Sequence, residues 1–281
     1  MKIDGKAIAQ NILENLKKRV HHLKNDRVEP HLVIILVGDD PASHSYVKQK
    51  EKKSQAVGIK ATIVYLQTTI TQDKLLSIIE QYNNDKNIHG IIVQRPLPEH
   101  IDARSIDEAV DPVKDVDGFC SNSKFQMPLA KAVFTVLSYV HDTNIDTFSF
   151  EEWLRGKNIV VFGKGKTGGG PVIALLKKKD LKPFIVDSKT KDPENILKNA
   201  DIVISAIGKP KILNTNALKK GVMLVGIGMF RGTDGKLHGD YEEDQVKNVA
   251  SFYTPVPGGV GPVNVAMLLA NVVEAAAKSV S

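Results

Sequence analysis

A chain of 281 residues with 42% hydrophobic side chains can bury one large or two ordinary cores, and no uninterrupted apolar run approaches the ~20 residues of a membrane helix. The net charge of +6 arises from 38 basic and 32 acidic residues interleaved along a chain with 6% aromatics, which argues against a nucleic-acid stripe and for a basic surface suited to small anionic ligands. The single cysteine, Cys120, excludes an internal disulfide framework and a multi-cysteine metal site, and no metal is expected.

The opening MKIDGKAIAQNILENLKKRV lacks the apolar core of a signal peptide and reads as an amphipathic helix with Ile8, Ile12 and Leu16 on one face. A cytoplasmic protein is expected, with neither membrane nor nucleic acid as partner. HLVIILVG (31–38) reads as a strand, Ser43 to Val57 as a lysine-rich helix closed by Gly58, and KATIVYLQ (60–67) as a strand. A helix over Gln72 to Tyr82 follows, then the strand IHGIIVQ (88–94), stopped by Arg95-Pro96-Leu97-Pro98. From Asp111 to Ser123 the pattern breaks into loop, and a helix spans Leu129 to Val140. Alternation resumes with the strand NIVVFG, a helix from Pro171 or slightly earlier, PFIVD (183–187), a helix around 193–198, DIVISAIG (201–208) and GVMLVGIG (221–228). The apolar helix Val263 to Lys278 closes the chain. Apolar strands alternating with helices predict parallel α/β sheets, the later four strands forming a second domain. Lys177-Lys178-Lys179 reads as the solvated end of a helix.

Directly after NIVVFG, the run Gly163-Lys164-Gly165-Lys166-Thr167-Gly168 satisfies G-x-G-x-x-G between a strand and a helix. Glycines there let the backbone turn tightly and approach a pyrophosphate at the helix N-terminus. Asp187 ends the next strand, 24 residues past Gly163, near the spacing of a carboxylate that binds an adenosine ribose hydroxyl. A nucleotide-hydrolysing P-loop would need glycine where Val160 stands, and the remaining alternative is a glycine-rich turn without a ligand.

SYVKQK puts Tyr46 and Lys50 four residues apart, on one helix face, where a phenol can tune the ammonium or orient a proton transfer. Lys48, Lys52 and Lys53 are the controls, since most helical lysines are simply solvated. Gln94 closes a strand at the edge where parallel sheets bind ligands, against the alternative of an ordinary loop glutamine. Among Asp111, Asp115 and Asp117, Asp117 before Gly118 reads either as an Asx-turn or as a carboxylate accepting hydrogen bonds from an amino-heterocycle. PVPGGVGP (255–262) reads as a rigid connection or as backbone lining a ligand.

Taken together, these segments resemble the bifunctional methylenetetrahydrofolate dehydrogenase/methenyltetrahydrofolate cyclohydrolase family. The resemblance spans nearly the whole chain, through LVGDDPASHSYVKQKEKKSQAVGI, VQRPLPEHID, KDVDGF and PVPGGVGPVNVAMLLAN in order. It implies an α/β folate-binding domain over 1–123, completed by a returning C-terminal helix (263–281), and a Rossmann-type NAD(P)-binding domain over 124–262. It implies Lys50 as the catalytic lysine, with Tyr46, Gln94 and Asp117 in the catalytic set. The folate would lie against Tyr46, Val93, Gln94, Asp117 and the backbone of Pro257, Gly258 and Gly259. The cofactor would meet Gly163, Lys164, Gly165, Thr167, Asp187, Ser188 and Ile227. A homodimer joined through the dinucleotide domains is implied as well.

The chain departs from the family pattern on the cofactor side. The usual G-R-S is Gly163-Lys164-Gly165, and the usual H-S-x-T is Asp187-Ser188-Lys189-Thr190. An aspartate at 187 repels a 2′-phosphate and leans the expectation to NAD over NADP, while Lys164 and Lys189 could each neutralise a phosphate. P-C-T-P-x-G becomes Pro128-Leu129-Ala130-Lys131-Ala132-Val133, V-I-D-V-G becomes Leu224-Val225-Gly226-Ile227-Gly228, and Asn264 stands where threonine is common. The alternatives are therefore a divergent relative acting mainly as a cyclohydrolase, and a folate- or nucleotide-binding protein without turnover.

Overall fold

The computed structural model describes residues 1–143, 148–210 and 212–279. In chain order the elements are α1 (Gly5–Asn25), β1 (His31–Val37), α2 (Pro41–Val57), β2 (Lys60–Leu66), α3 (Gln72–Asn84), β3 (Gly90–Val93), α4 (Ala103–Ala109), α5 (Pro128–Thr143) and α6 (Phe150–Arg155). They continue with β4 (Ile159–Phe162), α7 (Gly169–Lys178), β5 (Phe184–Val186), α8 (Pro193–Lys198), β6 (Ile202–Ser205), a 3-10 turn at Thr215–Ala217, β7 (Met223–Gly226), β8 (Met229–Arg231), β9 (Leu237–Gly239), α9 (Glu243–Val246), β10 (Phe252–Tyr253) and α10 (Val260–Lys278). The chain forms two compact units, a first of Gln10–Pro128 with Val265–Ser281 and a second of Met1–Ala9 with Leu129–Asn264.

The first unit holds a parallel sheet in the order β2-β1-β3. All seven residues of β1 are buried, as a central strand covered on both faces requires, and this is why its sequence is continuously apolar. Val33, Ile35 and Val37 pack on Leu75 and Ile79 of α3 and Ile106 of α4. Ile35 lies opposite Val93, and Gln94 N donates to Ile35 O at 2.8 Å, so Gln94 emerges at the C-terminal edge of the sheet. Helix α2 starts two residues before the predicted Ser43 because Asp40 caps it: Asp40 Oδ2 accepts from Ser43 N at 2.8 Å and Ser43 Oγ at 2.7 Å, and Pro41 occupies the first turn. Gly58, at φ +86°, ends it. On α1 the predicted face residues Ile8 and Leu16 are buried and Ile12 is half-buried, and the buried face also takes in Ala9, Leu13 and Val20.

The second unit is built on five parallel strands, β10-β7-β6-β4-β5, with β8 and β9 as a separate antiparallel hairpin. Winding reverses at β4, which has β5 on one side and β6 on the other, and the ligand crevice of such sheets opens at that switch point. Val160, Val203 and Leu224 from successive strands pack with Leu197, Val222 and Tyr241. The N-terminal residues run beside β10, with Ile3 N donating to Tyr253 O at 2.8 Å and Tyr253 N to Met1 O at 3.0 Å. Among the described residues, Val260–Lys278 is the one helix long and apolar enough to cross a membrane by length and composition, and 56% of that stretch is buried inside the protein.

Candidate active site

In the first unit, α2 and β3 bring together two side chains 44 residues apart: Lys50 Nζ donates to Gln94 Oε1 at 3.0 Å. The glutamine is held at its other end, its Nε2 donating to Arg95 O at 2.8 Å, so its oxygen is fixed toward the lysine. Ser54 Oγ donates to Lys50 O at 2.9 Å within the helix. Tyr46 lies one turn earlier on α2; Tyr46, Lys50, Val93 and Gln94 are all half-buried, which leaves them reachable by a ligand. A lysine held by a neutral acceptor, with no carboxylate in that hydrogen bond, can exchange a proton with a bound reactant without an ion pair being broken.

Asp117 sits in the loop after α4, half-buried, and does not join the Lys50–Gln94 hydrogen bond. The loop is shaped by Asp115, which is buried and accepts from Gly118 N at 3.0 Å and Cys120 N at 2.9 Å. Burial pushes the Asp115 carboxyl up. Arg95 pairs with Asp107 and lays its guanidinium 4.9 Å from the Phe119 ring centre. Sequence reasoning passed over Asp115 as a shaping residue, and also over Asn271, whose signal is a carboxamide inside an otherwise apolar helix.

In the second unit, Pro257, Gly258 and Gly259 form the turn before α10, with Pro257 exposed and Gly258 at φ +106°. The glycine loop follows β4 at the switch point. Gly163 takes φ +100°, where a Cβ would lie 2.7 Å from Ala206 O. At Gly165 a Cβ would meet nothing within 4 Å, so this backbone is open to a ligand. At Gly169 a Cβ would fall 1.9 Å from Gly163 O. The close helix–strand packing therefore rests on Gly169, one residue beyond the Gly168 of the sequence pattern. Gly168 caps α7 without a side-chain hydrogen bond, so the first amides of the helix are free of a competing side-chain cap. A tight first turn, an open second glycine and a helix start without a side-chain cap are what a dinucleotide pyrophosphate requires, and the residues fit that group.

Gly169→Ala is accordingly expected to cost about 3 kcal/mol or more and to lower the thermal midpoint. Gly165→Ala is expected to leave the midpoint unchanged while weakening NADH binding, measured by nucleotide fluorescence. Equal melting losses for the two variants would refute this division of roles.

Asp187 follows β5, beside the glycine loop, and Lys164 Nζ pairs with its Oδ2 at 2.6 Å. Lys189 N donates to Asp187 Oδ1 at 3.0 Å and Thr190 Oγ1 to the same oxygen at 3.2 Å. Lys164 in the first place, and these donors after it, hold the Asp187 carboxyl down at about 2. Lys164, read from sequence as able to neutralise a phosphate, is thus engaged by the neighbouring carboxylate. Ser188 is exposed next to it, Thr167 is exposed in the glycine loop, and Ile227 is half-buried just after β7. Asp240, absent from the sequence reading, is fully buried and accepts from Ser205 Oγ at 2.6 Å, Ile207 N at 2.9 Å, Gly208 N at 2.7 Å and Lys209 N at 3.1 Å. It fixes the loop after β6 against which Gly163 packs.

Residues 3–117 match the family model described as tetrahydrofolate dehydrogenase/cyclohydrolase, catalytic domain, and residues 143–280 match its NAD(P)-binding domain. Over 277 residues the sequence is 43% identical to the bifunctional protein FolD of Nautilia profundicola, covering 98% of this chain and 96% of that relative. The fold is similar to the FolD methylenetetrahydrofolate dehydrogenase/cyclohydrolase of Campylobacter jejuni, with a TM-score of 0.92 and 37% identity over 99% of both chains. It is also similar to the Trypanosoma brucei dehydrogenase-cyclohydrolase solved with NADP and an inhibitor, with a TM-score of 0.89 and 31% identity over 100% of this chain and 98% of that one.

Proposed function

This chain belongs to the tetrahydrofolate dehydrogenase/cyclohydrolase family, and we propose from that premise that Lys50 is the proton-transfer centre of its two-step reaction. The enzyme oxidises 5,10-methylenetetrahydrofolate to the 5,10-methenyl form with a nicotinamide dinucleotide and hydrolyses that product to 10-formyltetrahydrofolate. The alternative of a chain reduced mainly to hydrolysis is not favoured, since the NAD(P)-binding model matches residues 143–280 and the glycine loop keeps the form a dinucleotide needs.

The observation that carries the assignment of roles is the Lys50 Nζ to Gln94 Oε1 hydrogen bond. Hydride transfer needs no strong acid or base: the bound nicotinamide supplies the acceptor, and the protein's part is to hold the reacting carbon in place. Hydrolysis is different. Water adds to the cationic methenyl carbon and loses one proton; a ring nitrogen then gains a proton, the carbon–nitrogen bond opens, and the remaining hydroxyl proton leaves as the formyl carbonyl forms, so one proton is released overall. Lys50 moves these protons, Gln94 fixes its direction and Tyr46 orients it from the preceding turn. Asp117 accepts hydrogen bonds from the amino-pterin, and Val93 lines the folate beside it. In this reading residues 1–123 with 263–281 serve folate, and 124–262 serve the dinucleotide.

Gly163, Lys164, Gly165 and Thr167 would hold the pyrophosphate, with Asp187 and Ser188 at the ribose and Ile227 near the ring. The engaged Lys164–Asp187 pair supports NAD over NADP. A homodimer through the second unit is supported by the edge strand β5, whose Phe184 is 54% exposed, and a cytoplasmic location is the natural setting for this metabolism. The test of the reaction is methylenetetrahydrofolate oxidation followed spectrophotometrically with NAD and NADP in parallel. Oxidation with at least one cofactor is expected; none with either would defeat the dehydrogenase assignment.

A further inference from the structure

Asn271 is fully buried on α10, in a helix whose neighbouring positions Leu268, Leu269, Val272 and Val273 are also buried. A carboxamide in such surroundings is retained at a cost unless its donors are satisfied. Both are: Nδ2 donates to Val116 O at 2.8 Å and to Gln126 O at 3.0 Å. These two carbonyls stand at either end of the segment that carries Asp117. The first belongs to the peptide group linking Val116 to Asp117. That group is planar, so holding its oxygen orients the plane from which the Asp117 side chain departs.

Other features close the same loop around this anchor. Gly118 turns at φ +76°, where a Cβ would lie 2.9 Å from Met127 N, so the segment folds back tightly on itself. Asp115 gathers the amides of Gly118 and Cys120, and Ser123 Oγ donates to Asp115 O at 3.0 Å. Asn271 alone among these comes from the C-terminal helix, 145 residues or more along the chain from the carbonyls it holds. We infer that Asn271 is a positioning residue for Asp117, and that fixing the aspartate for the pterin is one task of the returning helix. This rests on the reading of Asp117 as the pterin acceptor.

The experiment compares Asn271→Asp and the milder Asn271→Ser with Asp117→Ala and the corresponding double variants. Asn271→Asp keeps the shape and turns the donors into acceptors facing two carbonyls. It is expected to raise the folate KM about tenfold or more, with a smaller change in kcat and unchanged NADH binding. In the Asp117→Ala background that increase should largely vanish, because the residue through which Asn271 acts is gone. Asn271→Ser, which keeps one donor, should fall between, and carries the test if Asn271→Asp does not accumulate folded. Wild-type folate KM in a folded Asn271 variant, or penalties that simply multiply with Asp117→Ala, would overturn the inference. If Asp117→Ala alone leaves the folate KM unchanged, the pterin role of Asp117 is what fails, and the positioning role falls with it.

Discussion

Lys50→Met is expected to lower methenyltetrahydrofolate hydrolysis by about a hundredfold or more while folate and NADH still bind. Methionine keeps the unbranched stem and the helix preference of lysine, so α2 should not notice the change. The helix is independently secured by the Asp40 cap and by Gly58, and Ser54 Oγ donates to the Lys50 backbone oxygen, which the substitution retains. What disappears is the Nζ that donates to Gln94 Oε1 at 3.0 Å, and with it the group able to carry protons to and from the reacting atoms. Gln94 is half-buried, so water can take the vacated place and the lost hydrogen bond should weigh little on stability. The decay of methenyltetrahydrofolate absorbance and a folate dissociation constant, measured on the same preparation, separate chemistry from binding. Lys52→Met, an exposed lysine on the same helix, should behave as the wild type. Hydrolysis near the wild-type rate in Lys50→Met would remove Lys50 from its role.

The contrast between these lysines shows how far the sequence could be read. Strands β1, β4 and β6 were legible because buried parallel strands are runs of apolar residues, and the α2 terminus at Gly58 because a left-handed cap favours glycine. Elements as short as β10, with two residues, or β8 and β9, with three each, carry no periodicity to detect and are held by tertiary contacts. The Lys50–Gln94 contact had no signature in spacing, because it depends on the register of β3 against β1; helix spacing singles out Lys50 and the strand edge singles out Gln94, but only the family resemblance puts the two in one catalytic set. Asp240 and Asn271 escaped for a related reason. Each satisfies backbone groups far away in sequence, and a buried polar residue announces its partners only once the fold is known. For Lys164 the sequence shows a positive charge beside the glycine loop, and the register of β5 against β4 sets Asp187 next to it.

That pairing leads to the second large effect. Asp187→Ser is expected to shift the ratio of catalytic efficiencies with NAD and NADP toward NADP by on the order of ten- to a hundredfold. In the wild-type protein the carboxyl is held at about 2, so the group is ionised throughout the working range, from about pH 5 to pH 9, and the ratio of activities with NAD and NADP should be flat across it. An ionised carboxylate at the end of β5 can accept a ribose hydroxyl and opposes a 2′-phosphate placed at the same point. Asp187 draws the Lys164 ammonium to 2.6 Å, away from any phosphate at the ribose. Serine removes the repulsion and at the same time releases Lys164, so the two changes act in the same direction. Lys164→Met separates them: it removes the countercharge and leaves the carboxylate, and NADP should be used even more poorly than by the wild type. NADH and NADPH binding, followed by nucleotide fluorescence, reads the same preference without turnover. An unchanged ratio in Asp187→Ser, in binding as well as in catalysis, would mean that the carboxylate does not face the ribose and that the Lys164–Asp187 pair serves only to shape the loop.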